Sequence, residues 1–222
     1  MTIEQIRVGY DNFCYIIYCP NTKKSAVVDP GYNASKILDY IIKNDLKLFY
    51  IIATHHHGDH TGDIKKIKER FPTAKIIASK YASANYRLKI DRLISDEDII
   101  ILGDIKLRFL LTPGHTPDGL CILVDNIAVI TGDTLFIGDC GRLDLPGGSF
   151  KDMFKSLNEK IKPLDDQIIV YPGHDYGPKP FDTIGNLRPS IEALIKAIKK
   201  SLCFFFNHFF FLLKNLKTLY IL

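Results

Sequence analysis

The chain has 222 residues, 46% of them hydrophobic and 24% charged, with a formal net charge of +4. That balance suits a globular fold with a sizeable core and excludes wholesale disorder; without a dense basic tract, it points away from nucleic acid as a partner. Five cysteines, an odd number with no C-x-x-C pair, and an N-terminus lacking an uninterrupted apolar signal core indicate free thiols in a reducing compartment, the cytoplasm.

In chain order, FCYIIY (13–18) and SAVVD (25–29) predict two strands joined by a turn in CPNTKK. NASKILDYIIKN (33–44) carries a helical stripe of Ile37, Leu38, Ile41 and Ile42, with Asn33 or Ser35 as N-cap. KLFYIIAT (47–54) predicts a strand buried on both faces. TGDIKKIKERF predicts a helix ended by Pro72, with Lys65, Lys66, Lys68 and Arg70 on a solvated face, and AKIIAS (74–79) a further strand. Residues 80–97 read as helical in part. Strands follow at 98–102, 105–112, 119–125 and 127–133, with hairpin turns at Gly103–Asp104 and Asp125–Asn126. A Gly/Pro-rich loop covers 138–149. A helix at 149–161 turns Phe150, Met153, Phe154 and Leu157 inward, and 166–175 holds a last strand. Strand-rich halves, each with helices, predict two packed sheets with helices on the outer faces.

After residue 200 the composition changes. Residues 201–222 contain six phenylalanines and no Gly, Pro, Asp or Glu. Asn207, His208, Lys214, Asn215 and Lys217 interrupt what a membrane span would need, about 20 mainly apolar residues. The expected organisation is a domain over 1–190 and a helical, hydrophobic appendage over 191–222, with membrane attachment not expected.

THHHGDHTGD (54–63) places four of the seven histidines within six positions, where chance would put roughly 0.2. His55, His115, Asp133 and His174 each lie just past an apolar run, where a rigid sheet can gather distant residues into one site. Imidazoles and carboxylates in this number suit divalent metal. His55 and His57 can aim at one cation, Asp59 and His60 at a neighbouring point. His115 completes the first triad and His174 the second, and the two oxygens of Asp133 suit it to bridge. His56 is expected to point away as a spacer, and His208 to take no part.

T-H-x-H-x-D-H at 54–60, P-G-H-T at 113–116, G-D-T at 132–134 and P-G-H-D-Y at 172–176 resemble the metallo-β-lactamase superfamily, in the expected order over residues 7 to about 190. The resemblance implies an α/β (α+β) fold, a four-layer αββα sandwich of two mixed β-sheets with helices on the outer faces. It implies two divalent cations, zinc foremost, with iron or manganese as variants. His55, His57 and His115 would hold the first, Asp59, His60 and His174 the second, and Asp133 would bridge; Asp59 and Asp133 are the candidate catalytic carboxylates. The stretch GDTLFIGDCGRLDLPGG with YPGHDYG is similar to glyoxalase II-like thioester hydrolases and to persulfide dioxygenases. It implies metal-assisted hydrolysis of a small thioester such as an S-acylglutathione. Arg142 would anchor a substrate carboxylate or pair with Asp144 or Asp139, and Tyr176 would contact substrate or pack its loop. The alternative is a mononuclear Fe(II) persulfide dioxygenase built on His55, His115 and Asp133; nuclease-type and non-catalytic members are further alternatives. Oligomeric state is left open.

Overall fold

β2 (Phe13–Tyr18) builds two layers at once: Phe13, Tyr15 and Ile17 join one apolar cluster, Cys14 and Ile16 another. This is the two-residue alternation of a strand covered on both faces. Each large aliphatic side chain so enclosed contributes about 1.5–3 kcal/mol. The computed structural model describes residues 1–82 and 89–219, with side chains described through 202.

β1 (Thr2–Arg7), β2, β3 (Lys24–Val28), β4 (Lys47–Ile52), β5 (Lys75–Ser79) and β6 (Arg92–Ile94) form one six-stranded sheet in that order. β1 to β3 pair antiparallel and β3 to β6 parallel. β7 (Ile99–Leu102), β8 (Ile105–Leu111), β9 (Leu120–Val124), β10 (Ala128–Gly132), β11 (Ile169–Pro172) and β12 (Asp182–Thr183) form the second sheet, in which only β10 and β11 run parallel. Phe109, Ile122 and Ile130 of the second sheet meet Tyr15, Val28 and Ile52 of the first in the central cluster. The Tyr15 hydroxyl also donates to the Pro172 carbonyl, tying β2 to β11.

Helices α1 (Ala34–Lys43), α2 (Gly58–Thr61) and α3 (Ile64–Arg70) follow strands of the first sheet, whose outer face α1 and α3 cover with Ile37, Ile41, Ile64 and Ile67. The outer face of the second sheet is covered by α4 (Phe150–Lys155), its π-helical continuation Ser156–Ile161, and α5 (Ile184–Leu219). The four layers are those expected. Asp125 and Asn126 take left-handed φ of 50° and 54° in the β9–β10 hairpin, as a two-residue turn of this kind requires.

Several expectations are corrected. Asn33 occupies the N-cap of α1 without a side-chain bond; Asp63, distant in sequence, accepts from the Ala34 N–H instead. β4 is covered on both faces only at its end, since Lys47 and Phe49 are exposed. The single helix expected after the histidines divides into α2 and α3 around Gly62. Within 80–97, residues 92–94 form β6 and not helix; 83–88 lie outside the described residues. The expected division at 190 is not among these corrections: it falls within α5, whose Ile191, Ile195 and Ile198 are buried in the second sheet's outer cluster. Among the described residues no helix is long and apolar enough to cross a membrane.

Candidate metal centre

β4 ends at Ile52, and Ala53 and Thr54 carry the chain to His55, His56 and His57; the single turn of α2 then presents Asp59 and His60. His115, Asp133 and His174 follow the ends of β8, β10 and β11. Two glycines allow these loops to close. Gly132 has φ +48°, and a Cβ there would lie 2.4 Å from Thr54 Oγ1. A Cβ on Gly173 would lie 2.4 Å from Asp133 Oδ1 and 2.9 Å from His60 Cε1, so a larger residue at either place forces the ligand loops apart.

The seven expected residues converge. His57 Nδ1 is 3.1 Å from His55 Nε2 and 3.0 Å from His115 Nε2. His60 Nε2 is 3.2 Å from His174 Nε2, and Asp59 Oδ2 lies 3.5 and 3.4 Å from those two atoms. Asp133 stands between the groups. Its Oδ2 is 3.5 Å from His115 Nε2, 4.0 Å from His55 Nε2 and 3.4 Å from His174 Nε2, and its Oδ1 is 3.3 Å from His60 Nε2. With bonds of about 2.0–2.1 Å, the corners of a tetrahedral site are about 3.3 Å apart. The spacings therefore match donors arranged around divalent cations, and Asp133 Oδ1 is buried with no hydrogen-bond partner.

The contacts of the outer nitrogens set which way each ring turns. His115 Nδ1 donates to the Arg142 carbonyl at 2.7 Å. His60 Nδ1 lies 2.9 Å from Asp29 Oδ2, and His174 Nδ1 3.2 Å from Asp11 Oδ1. Thr54 Oγ1 donates to Asp29 Oδ2 at 2.6 Å, which leaves it free to accept from His55 Nδ1 at 3.1 Å. Each acceptor holds a proton on the outer nitrogen and so turns Nε2 toward the centre, where it becomes a donor once any proton it carries is lost. Asp29, Asp11 and Asn12 are partners of the cluster that the sequence reading did not single out. Asp29 was visible by the same rule as the ligands, since it ends the apolar run SAVVD.

Burial, reinforced by neighbouring imidazoles, holds His55 and His57 below the ordinary histidine range. Burial also opposes charge on His60, but Asp133 and Asp29 outweigh it and push its pKa up to about 9. At His174 burial is outweighed by Asp133 and Asp59, and the pKa rises to about 10. Burial likewise disfavours ionised Asp133 and Asp59, yet the imidazoles hold both below the usual carboxylate range. The metal-free chain thus keeps a proton between His60 and His174 at neutral pH. Because a ligand must shed its proton to bind metal, loading at pH 7 releases protons. The release shrinks as pH passes about 9 to 10, and affinity weakens as pH falls. Titration calorimetry in buffers of contrasting ionisation enthalpy measures this; proton-neutral loading at pH 7 would refute it.

His56 turns away from the cluster, its Nδ1 2.8 Å from Asp118 Oδ1. The Arg142 side chain makes a two-pronged pair with Asp144, Nε to Oδ1 at 3.0 Å and NH2 to Oδ2 at 2.8 Å. Tyr176 stacks on the His174 ring at 4.7 Å with an 8° tilt. The His208 side chain lies outside the described ones. A cleft of about 330 Å³ opens on the cluster, walled by Phe136, Cys140, Arg142, Leu145 and Tyr176 beside the metal-facing groups.

Comparison with known proteins agrees with the geometry. The Metallo-beta-lactamase superfamily signature matches residues 8–174. A probable hydroxyacylglutathione hydrolase of Schizosaccharomyces pombe, glo2, is 37% identical over 172 residues, covering 75% of this chain and 64% of that protein; the match thus spans less than two thirds of the relative's length. A probable polyketide biosynthesis zinc-dependent hydrolase of Bacillus subtilis, PksB, is 34% identical over 181 residues, covering 81% of this chain and 80% of its own. The crystal structure of ETHE1 from Myxococcus xanthus superimposes with a TM-score of 0.78 at 26% identity, covering 90% of each chain. With two six-stranded sheets, outer helices and a His/Asp cluster at the strand ends, the chain belongs to the metallo-β-lactamase superfamily.

Proposed function

We propose that the chain is a hydrolase of small thioesters, S-acylglutathione or a related acyl thiol, working with two divalent cations, zinc foremost, in the cytoplasm. The observation that carries this reading is the pair of three-donor groups, His55/His57/His115 and Asp59/His60/His174, with Asp133 between them and a cleft open to both. The relatives glo2 and PksB, a hydroxyacylglutathione hydrolase and a zinc-dependent hydrolase by name, support it. Bound divalent cations of this class supply hydroxide near neutral pH and polarise a carbonyl. The chain's own residues do the rest. Asp133 and Asp59 stay ionised as carboxylate donors. Phe136, Leu145 and Tyr176 give the cleft an apolar wall that aligns the acyl group and limits water. Arg142 meets a substrate carboxylate by exchanging Asp144 for it, at small cost because both partners are exposed.

The second reading is a persulfide dioxygenase in which His55, His115 and Asp133 hold a single iron. Asp133 Oδ2 does face both imidazoles, at 4.0 and 3.5 Å. It gives no work to the Asp59/His60/His174 group, whose members have outer partners in Asn12, Asp29 and Asp11; that investment favours the hydrolase. Metal analysis with kinetics decides. About two zinc, manganese or iron ions per chain, with S-lactoylglutathione or a simpler thioester cleaved, is the expected result. One iron per chain with O₂ consumed on a persulfide would overturn it.

A further inference from the structure

The loop between β1 and β2 leaves the first sheet and reaches the second at the metal centre. Phe13 N–H donates to the Gly173 carbonyl at 2.9 Å, Asp175 N–H to the Asp11 carbonyl at 2.8 Å, and Asn12 forms an isolated antiparallel bridge with His174. Two side chains of this loop then face two donors of the same group. Asp11 Oδ1 is 3.2 Å from His174 Nδ1. The buried Asn12 donates from Nδ2 to Asp59 Oδ2 at 3.0 Å. Gly9 makes room for this asparagine, since a Cβ there would lie 2.7 Å from Asn12 Oδ1.

The other group is held from elsewhere. His115 leans on the Arg142 carbonyl and His55 on Thr54; neither contact involves the β1–β2 loop. We infer that Asp11 and Asn12 are positioning residues that set the grip of the Asp59/His60/His174 group on its cation, independently of the His55/His57/His115 group. Asn12 fixes which carboxylate oxygen of Asp59 turns toward the two imidazoles, and by donating to it leaves that oxygen a weaker base than a free carboxylate. Asp11 fixes the His174 ring and its tautomer. Both effects act on geometry and donor strength at one end of the centre only. The inference rests on the two-cation reading above.

The test uses the full chain and zinc alone. Wild type, Asn12→Ala, Asp11→Ala and the isosteric Asp11→Asn are compared by metal content after dialysis, by calorimetric zinc titration, and by melting of the metal-free form. Asn12→Ala and Asp11→Ala are expected to weaken one of two binding events by 10–100-fold, the usual effect of removing such a partner, and to leave the other unchanged. Metal content then falls from about two toward one and recovers when free zinc is raised. Asp11→Asn keeps an oxygen for His174 Nδ1–H and recovers most of the lost affinity. If both events weaken equally, or neither changes, while wild type still binds two ions, the inference fails and the two-cation reading survives. Wild type binding a single ion overturns both. A merely structural role would appear as a lower melting temperature of the metal-free form with the two affinities shifted together.

Discussion

Asp133→Ala is expected to lose most of its bound metal and, with the cations that supply the nucleophile, nearly all turnover. Among the described residues the carboxylate is the one whose oxygens approach both donor groups, within 3.3–4.0 Å of four imidazole nitrogens. It is also the carboxylate that does most to balance both His60 and His174, beside Asp29 and Asp59. With alanine, the two groups share no donor and His60 and His174 lose a counter-charge. Asp133→Asn separates the causes, since it keeps the shape and removes the charge. Metal per chain and kcat/KM on a thioester measure the outcome, with circular dichroism confirming the fold. Near-normal turnover in Asp133→Ala would remove the basis of the two-cation scheme.

Asp29 is the second position of large effect, and it touches no cation. Its Oδ1 accepts from the Thr54 N–H at 2.7 Å, and its Oδ2 meets Thr54 Oγ1 at 2.6 Å and His60 Nδ1 at 2.9 Å. It is 1% exposed and holds a left-handed φ of 53°. Asp29→Ala strands those donors in a dry interior and is expected to cost about 3–5 kcal/mol of stability, with weaker metal binding at both groups. Asp29→Asn is the sharper test. An amide cannot accept from the Thr54 N–H with one arm and from His60 Nδ1–H with the other, because one arm is itself a donor. Either the backbone bond is lost, or His60 moves its proton to Nε2, where a cation needs a lone pair. Thermal melting and metal content are the measurements, and Asp29→Asn binding metal as tightly as wild type would contradict the tautomer argument.

Much of the centre was legible in the sequence for a physical reason. Ligands held by a rigid sheet stand where apolar runs stop, so His55, His115, Asp133 and His174 are marked by the hydrophobicity before them. Of their outer partners only Asp29, at the end of SAVVD, carries that mark. Asp11 in GYDNF looks like an ordinary turn residue, and only the folded chain brings it to His174. The Asp63 cap on α1 is invisible for the same reason, since it bridges elements far apart in sequence. Arg142 was readable as either an anchor or an ion pair; its proximity to Asp144, two residues on, gives the pair. β6 is three residues long, too short for alternation to show, and its parallel pairing with β5 decides it.

The Tyr15–Pro172 bond has a bearing on how such a centre tolerates change. One sheet supplies the donors from His55 to His60, and the other supplies His115, Asp133 and His174, so neither half owns a complete binding set. Interior substitutions that let the two slabs slide would blunt activity well before either slab melts. Damage of that kind would look like poisoned chemistry while its origin is mechanical slack.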